Sequence, residues 1–347
     1  MRNRFRASLA VALALGLTFT ASSVFARGMT PFDVAKIQSV RSAEISPDGS
    51  YVAYTLSVPR EPMEDDNGPN WVELHVYDVE AGESRPFVTG EVNVSSVSWT
   101  PDGSHIAFLT EREGDDNRSL YVISASGGEA RKLLEHDESI AEYAFNDDGT
   151  RVAFLAREGE TEREEDLEEQ GFDMEFYEEN IKNNQLYVVN VDLDDFRADG
   201  DLEPRHIELE GHPDDLHYRP GHDHVLVSMA EDSRIDLHYM FRTYTLVDLV
   251  TGDIAGQIET EGKLGQAAFS PDGEHVAFIG AIDIHDPAEG QLMVARATGG
   301  EPTNLMPGVE GHVNGVAWRD DDTILYLLDS NVHTQVGEIA ASGGEPN

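Results

Sequence analysis

The sequence predicts an all-β fold, a β-propeller of about six four-stranded blades preceded by a short N-terminal helix. Three observations carry this. One turn motif recurs along the chain, each copy sits between two apolar strands, and a second glycine turn follows at a similar offset.

The first motif reads Ser46-Pro47-Asp48-Gly49, then Thr100-Pro101-Asp102-Gly103, Asn146-Asp147-Asp148-Gly149 and Ser270-Pro271-Asp272-Gly273. Arg219-Pro220-Gly221-His222 and Arg319-Asp320-Asp321-Asp322 are decayed copies. From Pro47 the steps are 54, 46, 73, 51 and 49 residues. Proline presets φ, aspartate caps its own backbone and glycine accepts positive φ, so each copy is a tight turn. Strands such as Val94–Trp99 and His105–Phe108 flank it, which makes a hairpin. A third strand follows, as in Leu120–Ile123, Leu186–Val189 and Leu292–Ala295. Ser126-Gly127-Gly128, Thr298-Gly299-Gly300 and Ser342-Gly343-Gly344 then turn toward a fourth. A single sheet of this kind cannot bury both faces, so the repeats must stack around an axis. A sandwich would not require one turn at a fixed period.

The blades are expected at roughly 41–90, 91–139, 140–212, 213–262, 263–308 and 309–347, the last lacking its fourth strand. The whole propeller spans 41–347, and residues 27–40 form the helical lead-in. The unfinished last blade leaves an open edge. The expectation is therefore an incomplete ring of seven or eight blades in a longer protein, or six blades with a ragged end. Trp99 and Trp318 take matching places before the turn, where Phe145 and Phe269 sit in other copies, and read as blade-packing residues.

Residues 1–26 read as a cleaved export signal. Arg2, Arg4 and Arg6 precede an apolar run from Ala7 to Thr20, and Val24-Phe25-Ala26 supplies the small residues for cleavage after Ala26. The expected location is periplasmic or secreted, with no membrane association after cleavage. The chain has no cysteine, so neither a lipid anchor nor disulfides contribute.

Sixty-seven acidic residues face twenty-four basic ones, a net charge of -43, and loss of the three leader arginines lowers it by three more. Only Lys36, Lys132, Lys182 and Lys263 are lysines. Such a surface excludes nucleic acid and anionic lipid as partners. Attraction of a cationic substrate is one explanation; the spread of charge along the whole chain favours the other, a surface like those of proteins from salty environments, where screening removes self-repulsion.

The repeat resembles those of the TolB propeller and of prolyl oligopeptidase-family propellers. The lead-in Thr30-Pro31-Phe32-Asp33-Val34-Ala35-Lys36-Ile37, a helix with threonine at its cap and proline at its first position, is similar to the start of secreted bacterial members of the latter. Dipeptidyl and acylaminoacyl peptidases are among these. The resemblance implies a non-catalytic propeller that gates short peptides for a serine peptidase; the alternative is a TolB-like binding or scaffold propeller. The family's α/β-hydrolase domain, with its Gly-x-Ser-x-Gly elbow, is absent from these residues. Ser126 and Ser342 lack the glycine two positions before them and belong to the repeated turn, so no catalytic residue is assigned.

Between Ala156 and Gln185 the third blade carries an acidic insertion. In it Phe176-Tyr177-Glu178-Glu179 resembles the segment of dipeptidyl peptidase IV-type enzymes that holds a substrate's N-terminal ammonium. Glu178 and Glu179 are therefore the candidate substrate-binding residues. His222-x-His224 could present two imidazoles on one strand face, but His105 and His275 fill the same slot as His224. No metal and no cofactor are expected.

Overall fold

The computed structural model describes residues 28–172, 174, 177–193, 202–285 and 288–345. The leader expected at 1–26 lies outside them. By contacts the chain separates into two units. The smaller comprises residues 28–38 and 58–70. In it Thr30 and Asp33 form a reciprocal capping box on the helix Pro31–Ala35, with proline in the first turn. The Arg60 guanidinium donates to the carbonyls of Pro69 (2.8 Å) and Asp66 (3.2 Å).

The larger unit is an all-β propeller of six blades, each a sheet in chain order. Blade 1 comprises Ser39–Ile45, Tyr51–Val58, Trp71–Asp78 and Glu83–Val88. Blade 2 comprises Ser95–Trp99, His105–Thr110, Ser119–Ser124 and Arg131–Leu134; blade 3 comprises Ile140–Phe145, Arg151–Arg157, Asn184–Asn190 and Arg205–Ile207. Blade 4 comprises His212–Tyr218, His224–Ala230, Thr243–Asp248 and Ile254–Ile258; blade 5 comprises Leu264–Phe269, His275–Gly280, Gln291–Arg296 and Thr303–Asn304. Blade 6 has three described strands, His312–Asp320, Thr323–Ser330 and His333–Ala340. Blades 1 and 2, 3 and 4, and 5 and 6 approach most closely at their first strands, which line the axis.

The turns behave as their chemistry dictates. Gly49, Gly103, Gly149 and Gly273 all sit near φ +70°. Asp48, Asp102, Asp148 and Asp272 each accept the backbone N–H two residues on, at 3.0 Å. In the decayed copy the left-handed residue falls one place earlier, at Gly221 (φ 71°). There Arg219 replaces the serine or threonine and donates to Gly273 O of the next blade at 2.8 Å.

Five apolar clusters seal the seams between consecutive blades. In blades 2 to 5 the second strands are buried in near-continuous runs, whereas in blades 1 and 6 burial alternates. Ala53, Thr55 and Ser57 face blade 2, and Ile324, Tyr326 and Leu328 face blade 5. The opposite faces are half-buried on the second strands and open at their margins. Ile45, at the place taken by Trp99 and Trp318, is 69% exposed, and Val336 is 77% exposed.

Two features depart from the sequence reading. Gly299–Gly300, expected only as a turn, pairs in parallel with Gln257–Ile258 of blade 4. A Cβ on Gly299 would stand 2.3 Å from Gln257 O, so the contact requires glycine. In addition, every first strand carries a β-bulge at the same level, for example between Asp214 and His217 and between Leu264 and Ala267.

Candidate functional site

The blade 3 insertion is shorter than the sequence suggested, because Arg157 still pairs with Asn184. Thr161 and Glu164 form a capping box that starts the helix Glu162–Glu169. The Lys182 ammonium lies 2.7 Å from Glu164 and donates to Gly159 O at 2.9 Å, closing the base of the loop. Lys182 and then Thr161 hold the Glu164 carboxyl down at about 2. Ser233, in the connection between the second and third strands of blade 4, donates from Oγ to Lys182 O (2.9 Å) and from its N–H to Asn183 Oδ1 (3.0 Å). The insertion is thus anchored to blade 4.

Glu178 and Glu179 lie on the turn that follows, both exposed. Phe176, the first residue of the quoted segment, lies outside the described residues. Glu178 has φ 56°, a left-handed conformation uncommon for a residue with a side chain. Its carboxylate accepts a hydrogen bond from the Tyr177 hydroxyl, which raises the pKa of that phenol. Its charge also acts on Arg234, which is clamped by Asp232 at 2.7–3.0 Å. Exposed apolar groups occur on the same two segments: Phe172, Met174 and Tyr177 on the insertion, and Ile235, Tyr239 and Phe241 on and beside the short helix Ile235–Met240 that follows Arg234. The arrangement offers negative charge beside apolar contact area, which suits a cationic group on an apolar chain.

A second polar constellation lies at the axial edge of blades 3 to 5. Asp215 occupies the blade 4 bulge with φ 49°. Arg242 donates from Nη1 to Asp215 Oδ2 (2.5 Å) and to Ser228 Oγ (3.1 Å), and from Nη2 to Leu264 O of blade 5 (3.0 Å). Tyr244 donates from its hydroxyl to Gly265 O at 2.7 Å. His238 Nε2 stands 3.5 Å from Asp214 Oδ2. Burial raises the pKa of Asp214, with Asp215 adding to it, and burial lowers that of His217. Burial, with the nearby His238, brings His212 down to about 4. Sequence reasoning noted the histidines of this stretch, His212 and His217 among them, but not Asp214, Asp215, Arg242 or Tyr244; the signal was the adjacent pair Asp214-Asp215 inside a first strand.

The remaining candidates resolve simply. The His222 and His224 rings meet edge to face at 5.8 Å, and His224 Nε2 lies 4.0 Å from Asp248. Among the described residues no group of three or more His, Cys, Asp or Glu is placed to hold a metal ion. Ser126 shares a 2.9 Å hydrogen bond with Ser124 in its glycine turn. Trp99 and Trp318 pack in the seams as expected. No described helix is long and apolar enough to cross a membrane.

Residues 35–137, which span blades 1 and 2, match the family model described as "Prolyl oligopeptidase, N-terminal beta-propeller domain". Blades 1 and 2 are thus those of an N-terminal β-propeller of the prolyl oligopeptidase type. An 87-residue stretch, 25% of the chain, is 32% identical to an uncharacterized peptidase, YuxL, of Bacillus subtilis (strain 168), covering 13% of that protein. The propeller is similar in fold to an acylaminoacyl peptidase of Pyrococcus horikoshii, with a TM-score of 0.64 at 14% identity over 90% of this chain and 46% of that one. It is also similar to the β-propeller domain of the Trilobed protease from Pyrococcus furiosus, with a TM-score of 0.57 at 14% identity over 90% of this chain and 84% of that domain. The chain therefore spans less than half the length of the two peptidases it resembles, while matching most of a propeller domain taken alone.

Proposed function

We propose that this propeller is the peptide-selecting, non-catalytic part of a prolyl oligopeptidase-family serine peptidase, acting in the periplasm or outside the cell. Its role is to admit short peptides to a separate hydrolase domain. Glu178 and Glu179 bind the ammonium group at the peptide's N-terminus, and the apolar groups around Tyr177 and Tyr239 take its first side chains. The observation that carries the site is the left-handed Glu178, whose carboxylate stands beside Tyr177 on an insertion anchored to the next blade. The export reading rests on the leader sequence alone. Calorimetric titration with a short apolar peptide tests the site. A free N-terminus should bind, and N-acetylation or the pair Glu178→Gln, Glu179→Gln should weaken binding at least tenfold. Equal binding of free and acetylated peptide would sink it.

A further inference from the structure

Three seams of the propeller are fastened in the same way, and one of these fastenings can be undone by a proton. Just before the first strand of blade 3, Ser139 Oγ accepts the backbone N–H of Arg118 in blade 2 at 3.3 Å. At the start of the first strand of blade 4, His212 Nδ1 accepts the N–H of Asn184 in blade 3 at 3.0 Å. At the start of the first strand of blade 6, His312 Nδ1 accepts the N–H of Gly290 in blade 5 at 2.9 Å. Each donor is the first residue of a third strand or the one before it. The chain repeats itself at the two histidines, Glu210-Gly211-His212 and Glu310-Gly311-His312. Both glycines have positive φ, and a Cβ would stand 2.4 Å from Ala230 O in one and 2.7 Å from Asp329 O in the other.

A hydroxyl can accept this bond at any pH. An imidazole accepts at Nδ1 only as the neutral ring with its proton on Nε2, because the imidazolium would set a second N–H against the donor. His312 is exposed, so water can take over from Gly290 when that ring turns away. His212 is 9% exposed and has no such relief. Arg157 acts on it from the second strand of blade 3, and Asp232, His238 and Arg242 from the connection between the second and third strands of blade 4. The His238 ring meets it edge to face at 5.7 Å. Asp232, the one carboxylate of this group, is already clamped by Arg234.

We propose that His212 is an acid-released latch: neutral, it ties blade 4 to the base of the blade 3 insertion through Asn184, and protonated, it lets that base go. Burial first, then His238, brings the latched ring down to about 4. Released and hydrated, the ring returns to the ordinary range near ~6.5. Between those limits the released state binds one more proton than the latched one. Release therefore becomes about tenfold easier with each pH unit of acidification below ~6.5, and above that value it is indifferent to pH. Asn184 directly follows Lys182 and Asn183, which take the hydrogen bonds from Ser233, and its own side-chain amide donates to Pro213 O at 3.1 Å. Loss of the latch thus loosens the insertion that carries Glu178 and Glu179. Release of a bound peptide in acid rests on the peptide reading; the latch itself does not.

Hydrogen exchange of the Asn184 amide, corrected for the intrinsic pH dependence of exchange, tests this on the purified protein without peptide between pH 5 and 8. Protection should be level above about 6.5 and fall about thirtyfold from there to pH 5. The Arg118 amide, held by Ser139, should show no such slope. His212→Gln keeps an acceptor for the amide and should abolish the slope at Asn184. A wild-type profile that is flat, or a slope that survives His212→Gln, overturns the proposal. Nitrogen-15 shifts of the His212 ring at pH 7 give a check that needs no variant. They should show Nδ1 without a proton, and a proton on Nδ1 overturns the latch equally. Peptide is absent throughout, so these outcomes stand apart from those of the peptide titration.

Discussion

The indole nitrogen of Trp318 donates a 2.9 Å hydrogen bond to the carbonyl of Ala268, from blade 6 to blade 5. Trp99 makes the same bond to Glu44 between blades 2 and 1, also at 2.9 Å. The repeat thus places both the packing body and the polar handle of an indole at one point of the seam. Trp318→Phe keeps most of the apolar contact and loses the bond, so stability in urea should drop by about 1 kcal/mol. No change in the unfolding midpoint would show that the bond contributes nothing.

The two-faced burial of the inner blades makes a sharper contrast. Phe154 is fully buried in the cluster between blades 2 and 3, whereas Val336 stands 77% exposed at the open margin of blade 6. Phe154→Ala should cost about 3–5 kcal/mol. Val336→Ala should stay within about 0.5 kcal/mol of the parent. A comparable loss for both would mean that this margin is covered in solution.

The turn aspartates are expected to contribute to the acid limit of the fold. Hydrogen bonds from Ser50 to Asp48, from Thr150 to Asp148 and from Ser270 to Asp272 hold these carboxyls below the usual range. Their folded pKa values are depressed, so their contribution is present above the ordinary aspartate range and is lost as pH falls through the folded values. The triple change Asp48→Asn, Asp148→Asn, Asp272→Asn keeps an acceptor and removes the titration. It should move the acid-unfolding midpoint, followed by circular dichroism, to lower pH; an unmoved midpoint counts against the turns as the acid-sensitive element.

Charge makes a prediction for the whole molecule. At -43, self-repulsion opposes the compact state at low ionic strength. Raising potassium chloride from about 0.01 M to about 1 M shortens the screening length from about 30 Å to about 3 Å, and the melting temperature should climb across that range. A melting temperature indifferent to salt would remove the case for a salt-adapted surface.

The turns were legible in the sequence because their chemistry is local. Proline, aspartate and glycine at Pro47-Asp48-Gly49 need no neighbour to form their hydrogen bonds, and the fold class followed from their recurrence. The bulges were not legible, since the groups they turn outward are satisfied from a neighbouring blade. Tyr143 donates to Ser96 O at 2.7 Å and Tyr244 to Gly265 O, pairings that no spacing along the chain announces. The parallel contact of Gly299 with Gln257 was hidden for the same reason. At the candidate site, residue identity pointed to Glu178 and Glu179. The left-handed backbone of Glu178 and the proximity of Arg234 depend on an anchor through Ser233 that lies fifty residues away.

Under the proposed function this propeller selects peptides and leaves their cleavage to a separate hydrolase domain. The most direct measurement passes the purified protein over a sizing column with a short apolar peptide, then identifies the co-eluting peptide by mass spectrometry. Peptide with a free N-terminus should travel with the protein intact, while its acetylated twin stays behind. Cleaved peptide in the protein fraction, or no co-elution of either form, would contradict it.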